Sequence, residues 1–116
     1  MGQGLSAFCV PLRPLWLIHL SEGYNRCTMK EDDYRIQLRS EGFTHIYTWQ
    51  DRPGTFYPDH THPTLSAHII LDGEMSLTQN GQSRTYRPGE RCDVPANCVH
   101  NARMGPEGCR YLIGEK

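Results

Sequence analysis

The chain reads as an all-β sandwich or barrel, and three observations carry that reading. Short alternating runs rich in β-branched and aromatic residues recur along it, turn signals fall about every eight to twelve residues, and no long helical period is present. The run YRIQL (34–38) alternates and predicts a strand, as does THIYTWQ (44–50), with RSEGF between them as a turn centred on Gly42. DRPG (51–54) turns the chain into the stretch GTFYPDHTHPTLSAHIILDG. EMSLTQ (74–79) and QSRTYR (82–87) flank Asn80-Gly81, the strongest short hairpin signal, because both central residues of that turn take positive φ. RPGE (87–90) turns the chain again, RCDVPANCVH (91–100) follows, and CRYLIG (109–114) is the last strand. No internal repeat or low-complexity tract interrupts this order.

Length and charge narrow the partners. With 116 residues the chain supports one modest core, and 12 basic against 13 acidic side chains leave no broad electrostatic footprint for nucleic acid or an anionic membrane. A small molecule, an ion or another protein is the expected partner. The five cysteines form an odd set with no C-x-x-C pair, which points to a reducing, cytoplasmic setting. Cys98, two residues before His100, reads as a small hydrophobe or a thiolate ligand.

Residues 1–28 differ from the rest and read as an irregular extension ahead of a folded domain at 29–116. Their apolar run PLRPLWLIHL is broken by Pro11, Arg13, Pro14 and His19 and is too short to span a membrane. MGQGLSAF lacks the basic region of a secretory leader, while MGQGLS matches the N-myristoylation pattern with Gly2 as acceptor. Trp16, Leu17 and Ile18 could cover a neighbour's sheet in a homodimer.

The stretch 54–73 holds His60, His62 and His68 within nine positions. On a strand, side chains two apart share a face, so His60 and His62 present two imidazoles to one ion while Asp59 and Thr61 point away. A metal centre needs at least a third ligand, and His100 supplies one if its strand lies beside theirs. Ser66 and His68 share the inward face of their strand, with Ala67 and Ile69 pointing out. His45, on one face with Tyr47 and Trp49, reads as a hydrogen-bonded core histidine, and no role is suggested for His19. Asp59 and Glu90 read as solvated carboxylates, and Tyr57, Tyr86 and Tyr111 as barrel-wall phenols.

These residues resemble the cupins, small β-barrels with a metal held inside. The first cupin motif, G-x5-H-x-H-x3,4-E-x6-G, matches Gly54, His60, His62, Ser66 and Gly73 at every spacing, with serine in place of the glutamate. The second, G-x5-P-x-G-x2-H-x3-N, matches Gly89, Pro95 and His100, with Asn97 and Met104 where glycine and asparagine stand. Asn97 is the residue that best replaces glycine at positive φ. Fifteen residues, 74 to 88, separate the motifs. The resemblance implies a jelly-roll β-barrel, or double-stranded β-helix, over residues 29–116, and a divalent metal on His60, His62 and His100. His68 stands as a fourth ligand or just behind the first three.

In full-motif cupins the missing glutamate is a ligand, so the resemblance here is to three-histidine members. Neutral imidazoles leave an ion its full charge, and they suit Fe(II), the favoured ion, as well as Zn, Ni or Mn. The expected function is a metal-dependent enzyme on a small molecule, foremost an oxygenase or dioxygenase with Fe(II), or an isomerase if the ion is Zn or Ni. A non-catalytic module that binds a small molecule or metal is the alternative, and an interaction protein with vestigial histidines a third.

Overall fold

In a computed structural model of the chain, the described residues are 22–116, with side chains described from Lys30 onward. Helix α1 (Glu22–Ser40) precedes six strands: β1 (His45–Asp51), β2 (Phe56–His60), β3 (Ser66–Gln79), β4 (Gln82–Tyr86), β5 (Arg91–Val94) and β6 (His100–Glu115). The boundary expected at 28/29 falls within the run of α1, and residues 1–21, with Gly2, Trp16 and His19, lie outside the described residues.

The strand expected at 34–38 is the end of a helix instead. Tyr34, Ile36 and Leu38 alternate, but Tyr34 and Leu38 are also one helical turn apart, and the two patterns part company at Ile36. Leu38 is fully buried while Ile36 is 63% exposed, as a helix requires. The decisive local signal lies just beyond. Phe43 N–H donates to the Leu38 carbonyl and Gly42 N–H to that of Arg39, with Gly42 at φ 97°. These are the two bonds of a Schellman cap, sealed by contact between Leu38 and Phe43. The turn at Gly42 is therefore present, but it joins a helix to a strand. Arg91 pins this end of α1 to the sheet, donating to both carboxylate oxygens of Glu41 (3.0 and 2.7 Å) and to Asp93 (2.7 and 3.0 Å).

The six strands form one antiparallel hydrogen-bonded sheet in the order β1-β6-β3-β4, with β2 on β6 and β5 on β3. The long strands β3 and β6 pair along their whole length and serve both halves of the barrel. The first half of β3 and the second half of β6 carry β5 and β1, and the remaining halves carry β4 and β2. Between these halves the register shifts: Gly73 pairs Cys109 and Met75 pairs Met104, so β6 makes its bend over residues 105–108 against Glu74 alone. Gly73 and Gly108 meet there at φ 78° and 80°. A Cβ on Gly73 would lie 2.1 Å from the Gly108 carbonyl oxygen, and one on Gly108 would lie 2.6 Å from that of Asp51. Only glycine lets the backbones pass so closely.

Period-two alternation sorts the side chains into two cores. Ile70, Met75, Leu77, Met104, Tyr111 and Ile113 belong to the barrel interior. Ala67, Ile69 and Leu112 face the other way, yet they too are buried, against Leu38 and Phe43, with Tyr34 packed alongside. The outward positions of β3 are apolar because the end of α1 covers them.

The hairpin forms where the sequence places it, with Asn80 at φ 54° and Gly81 at φ 75° between Gln79 and Gln82, which pair across the turn. Gly81→Val is expected to lower stability by roughly 1 kcal/mol or more, because a β-branched residue resists positive φ. Space around Gly81 is open, so the loss is conformational and not steric. An unchanged urea midpoint would contradict it.

Candidate metal centre

Strand pairing assembles the histidines. His60, the last residue of β2, pairs with His100, the first of β6, after a register shift that follows Tyr57. His62 lies two residues beyond the end of β2, not within a strand as the spacing suggests. Its position is fixed from below, where Asn97 at φ 64° donates its N–H to the His62 carbonyl at 2.7 Å. The asparagine in place of glycine thus takes the left-handed backbone expected of it.

The three rings converge. Their centroids are 4.8 Å apart for His60 and His62, 4.2 Å for His60 and His100, and 5.0 Å for His62 and His100. One ring nitrogen of each lies within 4.8 Å of the others'. Nδ1–H of His60 donates to the Pro58 carbonyl at 2.6 Å, and Nδ1–H of His100 donates to that of Cys98 at 2.9 Å. A carbonyl only accepts, so both rings carry a proton on Nδ1, which leaves Nε2 as the nitrogen that can meet an ion. Burial, then the neighbouring His60 and His100, push the pKa of His62 down, which keeps its ring neutral. Three converging imidazoles, two of them oriented through Nδ1 by backbone carbonyls and the third, His62, held neutral by burial, are a donor set that a divalent transition metal takes, so the residues fit the ion.

His68 enters the same cavity from β3 but is not a member of the group of three. Its ring centroid is 6.0 Å from that of Tyr111, and its Nδ1 is buried without a hydrogen bond, as is Ser66 Oγ. Burial lowers its pKa to about 4; the nearby Cys92 backbone offsets this in part, without a well-formed bond to Nδ1, and His100 and His62 add to the lowering. A histidine in the unfolded chain titrates near 6.5. The neutral ring's contribution to metal-free stability is therefore complete above about pH 6.5 and is lost as pH falls toward 4, a span worth roughly 2–3 kcal/mol. Chelator-treated His68→Asn should lose less stability than wild type between pH 7.5 and 4.5, read from urea midpoints; equal losses would contradict this.

The histidines line a cavity of about 260 Å³ that is walled also by Tyr47, Trp49, Tyr57, Tyr111 and Glu115. Asp51 organises that wall. It is only 9% exposed, and its carbonyl lies close against the bend at Gly108. Its Oδ1 accepts from Trp49 Nε1 (3.0 Å) and Tyr57 OH (2.7 Å), and its Oδ2 accepts from Tyr111 OH (2.7 Å). Tyr47 OH donates to Glu115 Oε2 at 3.1 Å. Sequence reading passed over Asp51, which sits at a turn start where aspartate is ordinary; its burial depends on a strand pairing with Cys109 that no local pattern shows.

Other expectations resolve plainly. His45 is exposed at the first residue of β1, its ring 4.7 Å from that of Tyr47, so it is not the core histidine its alternation suggests. Cys98 is half-buried beside Gln79 and outside the group of three. Asp59 accepts from Asn101 at the surface, and Glu90 caps its own turn through Arg87 N–H. Tyr86 packs in the barrel core. Among the described residues no helix is long and apolar enough to cross a membrane.

The barrel built on β3 and β6, with three histidines brought together in its cavity, defines a class, the jelly-roll β-barrels. The cupin-domain family model matches residues 47–113, and the chain belongs to the cupin family. No curated protein matches it. Among solved structures it is similar to DMSP lyase DddQ from Ruegeria pomeroyi, with 26% identity and TM-score 0.57 over 61% of this chain and 36% of that one. It is also similar to a cupin superfamily protein from Desulfitobacterium hafniense (20%, TM-score 0.57, 64% of this chain and 67% of that one) and to KdgF from Halomonas sp. (18%, TM-score 0.53, 61% and 67%). The matched part thus spans about a third of the lyase and two thirds of the other two.

Proposed function

We propose that the protein is a metal-dependent cupin enzyme acting on a small molecule, with a divalent ion on His60, His62 and His100 and Fe(II) as the leading ion. The observation that carries this reading is the convergence of three imidazoles, two of them with Nδ1–H committed to backbone carbonyls. An ion bound there supplies Lewis-acid polarisation of a substrate oxygen and, when it is iron, the chemistry of an oxygenase. The chain's own residues hold and orient. The carbonyls of Pro58 and Cys98 set the orientations of the His60 and His100 rings, the aromatic wall lines the cavity beside them, and His68 offers a free nitrogen either to the ion or to the bound molecule.

DMSP lyase DddQ and KdgF share the fold under different names, so the reaction is drawn from the site and not from the barrel. Oxygen uptake by Fe(II)-loaded protein with thiols, diketones and phenols tests the oxygenase reading; uptake that depends on His60 and one of these substrates supports it. Ser66 in the glutamate position favours a second reading, a module that binds its ligand without turnover. Saturable binding with no oxygen uptake and no product would select it. The unpaired Cys92, Cys98 and Cys109 support a reducing, cytoplasmic setting.

A further inference from the structure

We propose that the cavity selects ligands that bring a hydrogen-bond donor, a hydroxyl or an ammonium group, to the wall formed by Tyr47, Tyr57, Tyr111 and Glu115, and rejects those that bring a carboxylate there. This deepens the metal-site reading and rests on it. Tyr57, Tyr111 and Trp49 each commit a proton to the Asp51 carboxylate, and Tyr47 commits its own to Glu115. A phenol has one proton to give, and an indole one. What the three phenols have left to offer is oxygen lone pairs, so that wall accepts and does not donate.

The surrounding charge has the same sign. Burial, then the Asp51 carboxylate they both bond, push the Tyr57 and Tyr111 pKa values up, so these phenols stay neutral and keep their protons where they are. Glu115 lines the cavity itself, and among the described residues neither lysine nor arginine does. A ligand carboxylate at this wall would lose its hydration, meet lone pairs and face the Glu115 carboxylate, with Asp51 behind the phenols and no lining cation to compensate. A hydroxyl or ammonium would be received by acceptors already held in place. Ser66 Oγ and His68 Nδ1, buried in the same cavity without partners, mark it as built for a polar molecule and not for a plug of side chains.

Three hydroxamates with the same metal-binding head and near-equal length test this: 4-hydroxybutyrohydroxamate, 4-aminobutyrohydroxamate and the monohydroxamate of succinic acid. Each is titrated at pH 7.5 into Co(II)-loaded protein, and the visible absorption of the cobalt reports binding. At least one donor-ended probe should bind at least about tenfold tighter than the succinic one, and comparing the two separates hydroxyl from ammonium preference. Tyr57→Phe, which removes an acceptor oxygen and keeps the ring, should narrow that ratio, as should Asp51→Asn; should the latter fail to fold, Tyr57→Phe carries the test. Equal or tighter binding of the succinic probe overturns the inference while leaving the metal site intact. Failure of cobalt to bind overturns the metal reading, and this inference with it.

Discussion

Replacing His100 by alanine is expected to abolish metal retention. His100 is 4% exposed, paired in register with His60, and oriented by the Cys98 carbonyl, so the ion loses a pre-set ligand and water has little access to replace it. The loss should exceed the roughly 10–100-fold that removal of a mere outer-shell partner causes. His60→Ala should behave alike, whereas His45→Ala, an exposed ring on β1, should keep the wild-type metal content. Competition against a colorimetric chelator measures all three. Equal affinity across the set would sink the triad.

Gly73→Ala is expected to be the most destabilising single-methyl change in the barrel. It combines a positive φ with a Cβ that would overlap the Gly108 carbonyl oxygen at 2.1 Å, and that neighbour is backbone, which cannot rotate away. Strain and the displaced bend should together cost about 3 kcal/mol or more. The damage should spread to the wall of the cavity, because Gly108 abuts the Asp51 carbonyl. Urea unfolding followed by tyrosine and tryptophan fluorescence reads both effects. A variant within about 0.5 kcal/mol of wild type would mean that the two strands do not cross so tightly.

Much of this architecture is legible in the sequence because it is written locally. Asn80-Gly81 needs positive φ at both positions, and Asn97 stands where a glycine would; these turns form as read. The spacing of His60, His62 and His100 reports a site because β2 pairs His60 with His100, while His62, just past the strand, is held by the Asn97 N–H on its carbonyl. What stays hidden is settled by distant partners. YRIQL satisfies a strand and a helix equally over five residues, and the choice falls to a cap at Gly42 and to the apolar outer face of β3, where Ala67 and Ile69 need a cover. His45 keeps the alternation of Tyr47 and Trp49 but sits at the first residue of its strand, exposed, and alternation does not report depth. Asp51 becomes the hub of three hydrogen bonds only because the bend of β6 carries Tyr111 to it across 60 residues.

The most direct measurement is the metal content of protein purified without an affinity tag, by elemental analysis, with wild type, His68→Ala and the His60/His62/His100 triple alanine variant side by side. About one ion per chain in wild type and none in the triple variant is the expected result, with His68→Ala showing whether the fourth histidine belongs to the ion or to the molecule beside it. No metal above background in wild type, or equal metal in wild type and the triple variant, would contradict a metal centre on these three histidines.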